Sequence, residues 1–245
     1  MNAMITGGGR GIGRATAICL AETSNYETII INYVQDKAAA EATCQTLGKM
    51  AVEGIPVRAN MAQPGEIKKL FAEAARQFSK LDTFVHCAAI TTFKPLMDVR
   101  ANQWDLTMNV NGRSFLLCAQ LAAPMMDGGS MIALSSSGGG QVIKNYGALG
   151  PTKAALESMI RYLAVELAPK NIRVNGVIGG LVQTGSINQF PEADKIRQEV
   201  IRRTPAGRLG TVEELGKVVR FLAGPDAEWI HGQLITAEGG HSLLA

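Results

Sequence analysis

Thr6-Gly7-Gly8-Gly9-Arg10-Gly11-Ile12-Gly13 follows a short apolar run at residues 3–6 and opens a helical stretch. Its spacing is G-x-x-x-G-x-G, from Gly7 through Gly11 to Gly13. Side chains are missing where a turn must close tightly, where a pyrophosphate must approach the main chain, and where a helix must pack on a sheet. The helix start then presents unpaired N–H groups and a partial positive charge to phosphate. The competing interpretation is an ordinary glycine-rich turn, and the strand before and helix after count against it.

Outward from the loop, short β-branched runs alternate with helical patterns. Strands are expected at Thr28–Tyr33, 55–60, 81–87, 130–134, 172–177 and 233–237. Between them, Ile67, Leu70, Phe71, Ala74 and Phe78 recur at helical spacing over 65–78. Further helices are expected from Lys37, over 104–122 and over 152–168, the last starting near Pro151, where a missing N–H costs nothing. Thr211 and Glu214 form a capping box that opens a helix to Leu222. Strands separated by helices predict an α/β fold: a Rossmann-type doubly wound parallel sheet of about seven strands with helices on both faces. No repeat or linker divides the chain, so 1–245 is expected to form one dinucleotide-binding domain. The least patterned stretch, 179–210, is a candidate flap on the substrate side.

Composition excludes several classes. Of 245 residues, 47% are hydrophobic and 18% charged, which is too apolar for disorder and enough to bury a core. The net charge of +3 is mixed along the chain without a basic block, so no nucleic-acid partner is expected. Apolar runs stop well short of the ~18 residues of a membrane span. The start, MNAMITGGGRGIG, has no charged and apolar leader, which points to the cytoplasm. Cys19, Cys44, Cys87 and Cys118 have no paired spacing and no flanking His cluster, so reduced thiols and no metal are expected.

The second strand decides cofactor choice. An acid at its end would bond a ribose 2′-hydroxyl and favour NAD. Here it ends Ile31-Asn32-Tyr33-Val34, and Arg10 in the loop is suited to a 2′-phosphate, so NADP (NADPH) is expected over NAD.

Landmarks over nearly the whole chain now align with one family. The loop from Thr6 to Gly13 resembles the cofactor fingerprint of the short-chain dehydrogenase/reductases. Asn60-Met61 sits where that family has its adenine-contacting Asp-Val. His86-Cys87-Ala88-Ala89 stands at the Asn-Asn-Ala-Gly position, Asn111 at the active-site Asn, and Ser135-Ser136 at the catalytic Ser. Gly179-Gly180 replaces Pro-Gly, Thr184 matches a cofactor-contacting Thr, and Glu238-Gly239-Gly240 resembles the closing Asp-Gly-Gly. The resemblance implies cofactor contacts at Thr6, Gly7, Gly9, Arg10, Gly11, Ile12, Gly13, Tyr33, Asn60, Met61, Ala88, Ala89, Lys153, Gly179, Gly180, Val182 and Thr184.

One departure is informative. Most of that family has Tyr-x-x-x-Lys, but here Leu149 lies four residues before Lys153 and Tyr146 lies seven before it. Tyr146-x6-Lys153 resembles the enoyl-acyl-carrier-protein reductase branch, and TMNVNGRSFLLCAQ, TKAALESMIRYLAVEL and TPAGR are similar to its Bacillus-type III subgroup. Chemistry favours the wider spacing. In ketone reduction hydride lands on the carbonyl carbon itself. In enoyl thioester reduction it lands on the β-carbon, and charge develops on an oxygen two bonds further along.

The expected catalytic group is therefore Tyr146, Lys153, Ser136 and Asn111. Tyr146 stabilises the enolate oxygen and supplies its proton, and Lys153 is the cation that helps a phenol of pKa ~10 act near neutrality. Ser136, with Ser137 as competitor, orients the substrate. Asn111 holds a water or main chain near Lys153. A lone His at a strand end is more often structural than catalytic, so His86 is expected to be structural, and Cys87 and Cys118 to be small buried hydrophobes.

The expected activity is NADPH-dependent reduction of an enoyl thioester, on acyl carrier protein, in fatty acid or polyketide-type biosynthesis. Alternatives are a ketone reductase of the same family and a cofactor-binding member without catalysis. Apolar side chains around 179–190 would line an acyl slot. Lys195, Arg197, Arg202, Arg203 and Arg208 outnumber Glu192, Asp194 and Glu199, either as a docking surface for an acidic carrier or, favoured slightly, as a mixed-charge helix face. Helices 104–122 and 152–168 carry more Ala, Leu and Met than one core face needs, and the tail Ser242-Leu243-Leu244-Ala245 is apolar, features that a closed symmetric oligomer would bury. The resemblance to a family that is usually tetrameric implies a homotetramer or homodimer.

Overall fold

The computed structural model describes residues 1–90, 92–183 and 192–243. Its strands are β1 (Asn2–Thr6), β2 (Thr28–Tyr33), β3 (Glu53–Arg58), β4 (Thr83–His86), β5 (Gly129–Ser136), β6 (Ile172–Gly179) and β7 (Leu234–Ala237). All pair in parallel in one sheet, in the order β3-β2-β1-β4-β5-β6-β7. The helices are α1 (Gly11–Ala21), α2 (Lys37–Gly48), α3 (Pro64–Gln77), α4 (Ala101–Met108), α5 (Ser114–Ala122), α6 (Leu149–Leu167), α7 (Ala193–Arg203) and α8 (Val212–Ala223). Strand order reverses between β1 and β4, so their carboxyl ends flank the crevice where such sheets bind ligands.

Alternation along each strand builds two cores. Met4, Ile30 and Phe84 face one side, with Phe71 of α3, Phe115 of α5 and Leu156 and Ile160 of α6. Ala3, Ile5, Ile29 and Ile31 face the other, with Leu20 of α1, Leu47 of α2 and Leu215 and Val219 of α8. Strands buried on both faces read as continuous β-branched runs, which is why TIII in β2 was visible as a strand.

Three expectations need correction. The helix expected over 104–122 begins at Ala101 and is interrupted by a π-helical turn, Asn109–Arg113, between α4 and α5. Helix α6 begins at Leu149, two residues before Pro151. The Gly150 N–H donates to the Tyr146 carbonyl at 2.8 Å, and Pro still lies in the first turn, where N–H groups have no intrahelical partner. The stretch 179–210, unpatterned in sequence, contains α7, whose surface is almost all charged. Its ends are joined where Val182 bridges Gly210. Expected contact Thr184 and most of the expected acyl slot lie outside the described residues, as do Leu244 and Ala245. Among the described residues no helix is long and apolar enough to cross a membrane.

Candidate active site

The loop after β1 is shaped around missing side chains. Gly7 has φ +66°, and a Cβ there would come within 2.9 Å of the Ala88 Cα. A Cβ on Gly13 would collide with the Gly7 carbonyl oxygen, so α1 can start this close to the turn solely without one. Gly9 lies against Ala40 of α2, and the Thr43 hydroxyl donates to the Gly9 carbonyl at 3.1 Å. Arg10 is the exposed N-cap of α1, and no side chain caps that helix start. Gly11 (φ +56°) and half-buried Ile12 form the first turn. This uncapped start, facing a loop stripped of Cβ atoms, fits a dinucleotide pyrophosphate.

Asn32 of β2, only 2% exposed, fixes the loop's other side. Its Oδ1 accepts from the Gly7 N–H at 3.3 Å, and its Nδ2 donates to the carbonyls of Val57 and Ala59. Half-buried Tyr33 follows at the strand end. Asn60 turns the chain into α3, its Oδ1 accepting from the Ala62 N–H. The Met61 and Val182 side chains are buried in the two cores, which leaves main chain as what either can offer a cofactor. Gly179 and Gly180 sit tightly under Leu215 and Glu238.

Thr6 connects the loop to β4. Its Oγ1 accepts the N–H groups of Cys87 and Ala88, both at 3.1 Å, which fills its two lone pairs. The hydroxyl proton therefore goes to His86 Nδ1, 3.2 Å away. His86 then carries its proton on Nε2 and donates to Ser114 Oγ at 3.4 Å, and Ser114 donates to the Val110 carbonyl. Burial, and next the charge of Lys153, push His86 down to about 3, so the ring is neutral. It links Thr6 at the end of β1 to Ser114 at the start of α5. Cys118 is buried in the core and Cys87 is half-buried, with burial lifting its thiol to about 11. Ala88 is half-buried and Ala89 exposed beyond it.

Asn111 is in the π-helical turn and fully buried. Its Oδ1 accepts from the Ile90 N–H at 2.9 Å, and its Nδ2 donates to the Ile90 carbonyl and to Thr152 Oγ1. Both amide protons are thus engaged in holding the strand β4 exit against α6, beside Lys153.

Tyr146, Ser136 and Lys153 converge on the end of β5. Ser136 Oγ lies 3.2 Å from the Tyr146 hydroxyl, so Ser136 rather than Ser137 is the tyrosine's partner. Lys153, in the first turns of α6, is buried and donates to the Leu134 carbonyl at 2.6 Å. Tyr146 precedes α6, bridged to Lys94, with Phe93 against its ring at 6.2 Å between centroids. Sequence reasoning expected Lys153 to bring the Tyr146 phenol down. In the ligand-free protein burial raises it, partly offset by the Ser136 hydrogen bond, and the Lys153 ammonium donates to the Leu134 carbonyl. The phenol stays protonated, the form a proton donor needs. Lys153 itself is lowered to about 8 by burial, opposed by Cys87 and then Glu157.

Two contributors escaped sequence reading, Asn32 and Glu157. Glu157 Oε1 accepts the Ser135 hydroxyl at 2.5 Å in a buried contact. Its signal was a carboxylate one turn beyond Lys153, on a helix face that should be apolar.

Three of the four α7 cations are ion-paired, Lys195 with Glu192, Arg197 with Asp194 and Arg202 with Glu199, while Arg208 pairs with Glu214 of α8.

Residues 7–242 match the family model described as enoyl-(acyl carrier protein) reductase. The chain is 38% identical over 245 residues to 1-cyclohexenylcarbonyl-CoA reductase of Streptomyces collinus, covering 99% of this chain and 87% of that protein. It is 32% identical over 242 residues to the 3-oxoacyl-[acyl-carrier-protein] reductase FabG of Staphylococcus aureus, covering 98% and 97%. Among solved structures it resembles a 7α-hydroxysteroid dehydrogenase complexed with NADH and 7-oxo glycochenodeoxycholic acid, with TM-score 0.91 and 28% identity over 98% of this chain and 93% of that one. A Serratia marcescens short-chain dehydrogenase/reductase matches with TM-score 0.91 and 29% identity, covering 98% and 97%.

Proposed function

The chain belongs to the short-chain dehydrogenase/reductase family and is an NAD(P)H-dependent oxidoreductase, and from that premise we propose that it reduces the carbon–carbon double bond of an enoyl thioester with NADPH. The observation that carries the reading is the replacement of the usual tyrosine by buried Leu149, with the hydroxyl supplied instead by Tyr146 ahead of the helix. The similarity to 1-cyclohexenylcarbonyl-CoA reductase, whose name describes an unsaturated thioester, supports it.

The bound cofactor supplies hydride to the β-carbon. Gly7, Gly9, Gly11 and Gly13 would admit its pyrophosphate to the start of α1, and Arg10 would pair with a 2′-phosphate, which no acid at the end of β2 would repel. Lys153 holds the nicotinamide ribose, a role the family resemblance implies. Tyr146 donates its hydrogen bond, then its proton, to the thioester oxygen as negative charge develops there. Ser136 fixes the direction of the tyrosine hydroxyl. Lys153 is buried and Tyr146 half-buried, which limits water at both groups and strengthens their interactions.

Ketone reduction is the second reading. The 3.2 Å contact between Ser136 and Tyr146 and the similarity to FabG favour it. NADPH oxidation with a crotonyl thioester against an acetoacetyl thioester separates the two. Turnover of the acetoacetyl substrate alone would overturn the enoyl assignment, and turnover of neither would leave a binding protein. The protein acts as a homo-oligomer in this proposal. Tyr162 (70% exposed) and Val165 (77%) on α6, with Leu116 on α5, stay uncovered in a single chain. A monomer by sedimentation at micromolar concentration would refute that part.

A further inference from the structure

Helix α6 grips the end of β5 at two consecutive residues. Lys153 donates to the Leu134 carbonyl, and one turn later Glu157 accepts the Ser135 hydroxyl. The next residue is Ser136, which meets Tyr146. The turn that follows, Ser137–Gly139, is wedged between the same partners: a Cβ on Gly138 would strike the Tyr146 ring, and one on Gly139 would strike the Glu157 carboxylate. Glu157 is therefore packed against both sides of the Ser136 position while sharing a helix face with Lys153. We propose that Glu157 is a positioning residue of this reductase site: its carboxylate fixes Ser135, and through it the Ser136–Tyr146 pair, and is the counter-charge of the Lys153 ammonium.

The inference rests on the reductase reading above. Several groups face Lys153. From β4 come His86, neutral with a pKa of about 3, and the half-buried Cys87, a thiol with a pKa of about 11. Neither of these changes charge between about pH 6 and 9. Glu157, one helical turn from Lys153 on the same face, acts to raise it, so its removal should lower Lys153 over that range. The two functions of Glu157 separate by mutation. Glu157→Gln keeps an oxygen for the Ser135 hydroxyl and deletes the charge. Ser135→Ala keeps the charge and deletes the tether.

In the ligand-free protein, the side chain of 13C-labelled Lys153 is titrated by NMR. In parallel, NADPH affinity is measured by fluorescence from about pH 6 to 10, and kcat is measured on whichever of the crotonyl and acetoacetyl thioesters the parent reduces. In Glu157→Gln the Lys153 midpoint and the alkaline loss of NADPH affinity should both move about one unit to lower pH, because the charge favouring the ammonium is gone. In Ser135→Ala both midpoints should stay in place and kcat should fall about tenfold with KM little changed. A Lys153 midpoint in Glu157→Gln equal to the parent's, or an undiminished kcat in Ser135→Ala, would overturn the proposal. Should the parent reduce neither thioester, the functional reading fails, and the Lys153 titration still decides the counter-charge role by itself.

Discussion

Gly138→Ala tests the site through a single methyl group. The added Cβ would lie 2.5 Å from Cδ1 and 2.6 Å from Cε1 of Tyr146, where ordinary contact begins at 3.4 Å. The backbone at Gly138 is part of a tight turn packed under Gly150, so the half-buried ring must yield, by about 1 Å. A retreat of that size stretches the 3.2 Å Ser136–Tyr146 contact beyond hydrogen-bond range. Misplacing a catalytic group by about 1 Å costs on the order of 10²-fold in rate. Overpacking of about 1–3 kcal/mol should lower Tm by roughly 2–10 °C, leaving the protein folded at 25 °C. Gly140→Ala is the control, since nothing lies within 4 Å of its Cβ position. The assay is kcat by NADPH oxidation alongside NADPH affinity. A Gly138→Ala enzyme within twofold of the parent would refute the account of Tyr146 as the positioned donor.

Tyr146→Phe should keep NADPH binding and lose about 10²–10⁴-fold in turnover, and near-parental turnover would remove Tyr146 from the mechanism. Arg10→Ala should narrow the preference for NADPH over NADH mainly by weakening NADPH, and equal efficiency of the parent with both cofactors would sink the cofactor assignment. Acid should destabilise the protein through His86: its folded pKa of about 3 lies below the unfolded value of ~6.5, so the stabilisation is complete above pH ~6.5 and is lost by about 1.4 kcal/mol per unit as pH falls toward 3. Urea unfolding at two pH values should show a smaller acid loss in His86→Gln, and an identical loss would show that other groups set the slope.

What the sequence disclosed follows from range along the chain. The glycine loop, the buried strands and the capping box at Thr211 depend on neighbours within a few residues, and each could be read directly. Tyr146 was identifiable because its offset from Lys153 is local. The contacts that complete the site are not local: Thr6 meets His86 across 80 residues, and Ser135 meets Glu157 across 22. Their residue types carry no pattern until the sheet brings them together. The π-helical turn escaped because Asn109–Arg113 reads as ordinary helix.

Tyr146 and Lys153 are mounted differently. The lysine is built into α6, and the tyrosine stands on a segment secured from outside by Lys94 and Phe93. Frame and tool are therefore separable. Leu149, where the family's usual tyrosine would stand, is buried on the same helix as the lysine, so the mounting of the hydroxyl differs from that of the family while the lysine stays in α6. A scaffold arranged in this way can exchange reach for reach, one carbonyl against one conjugated double bond, at the expense of a few loop residues.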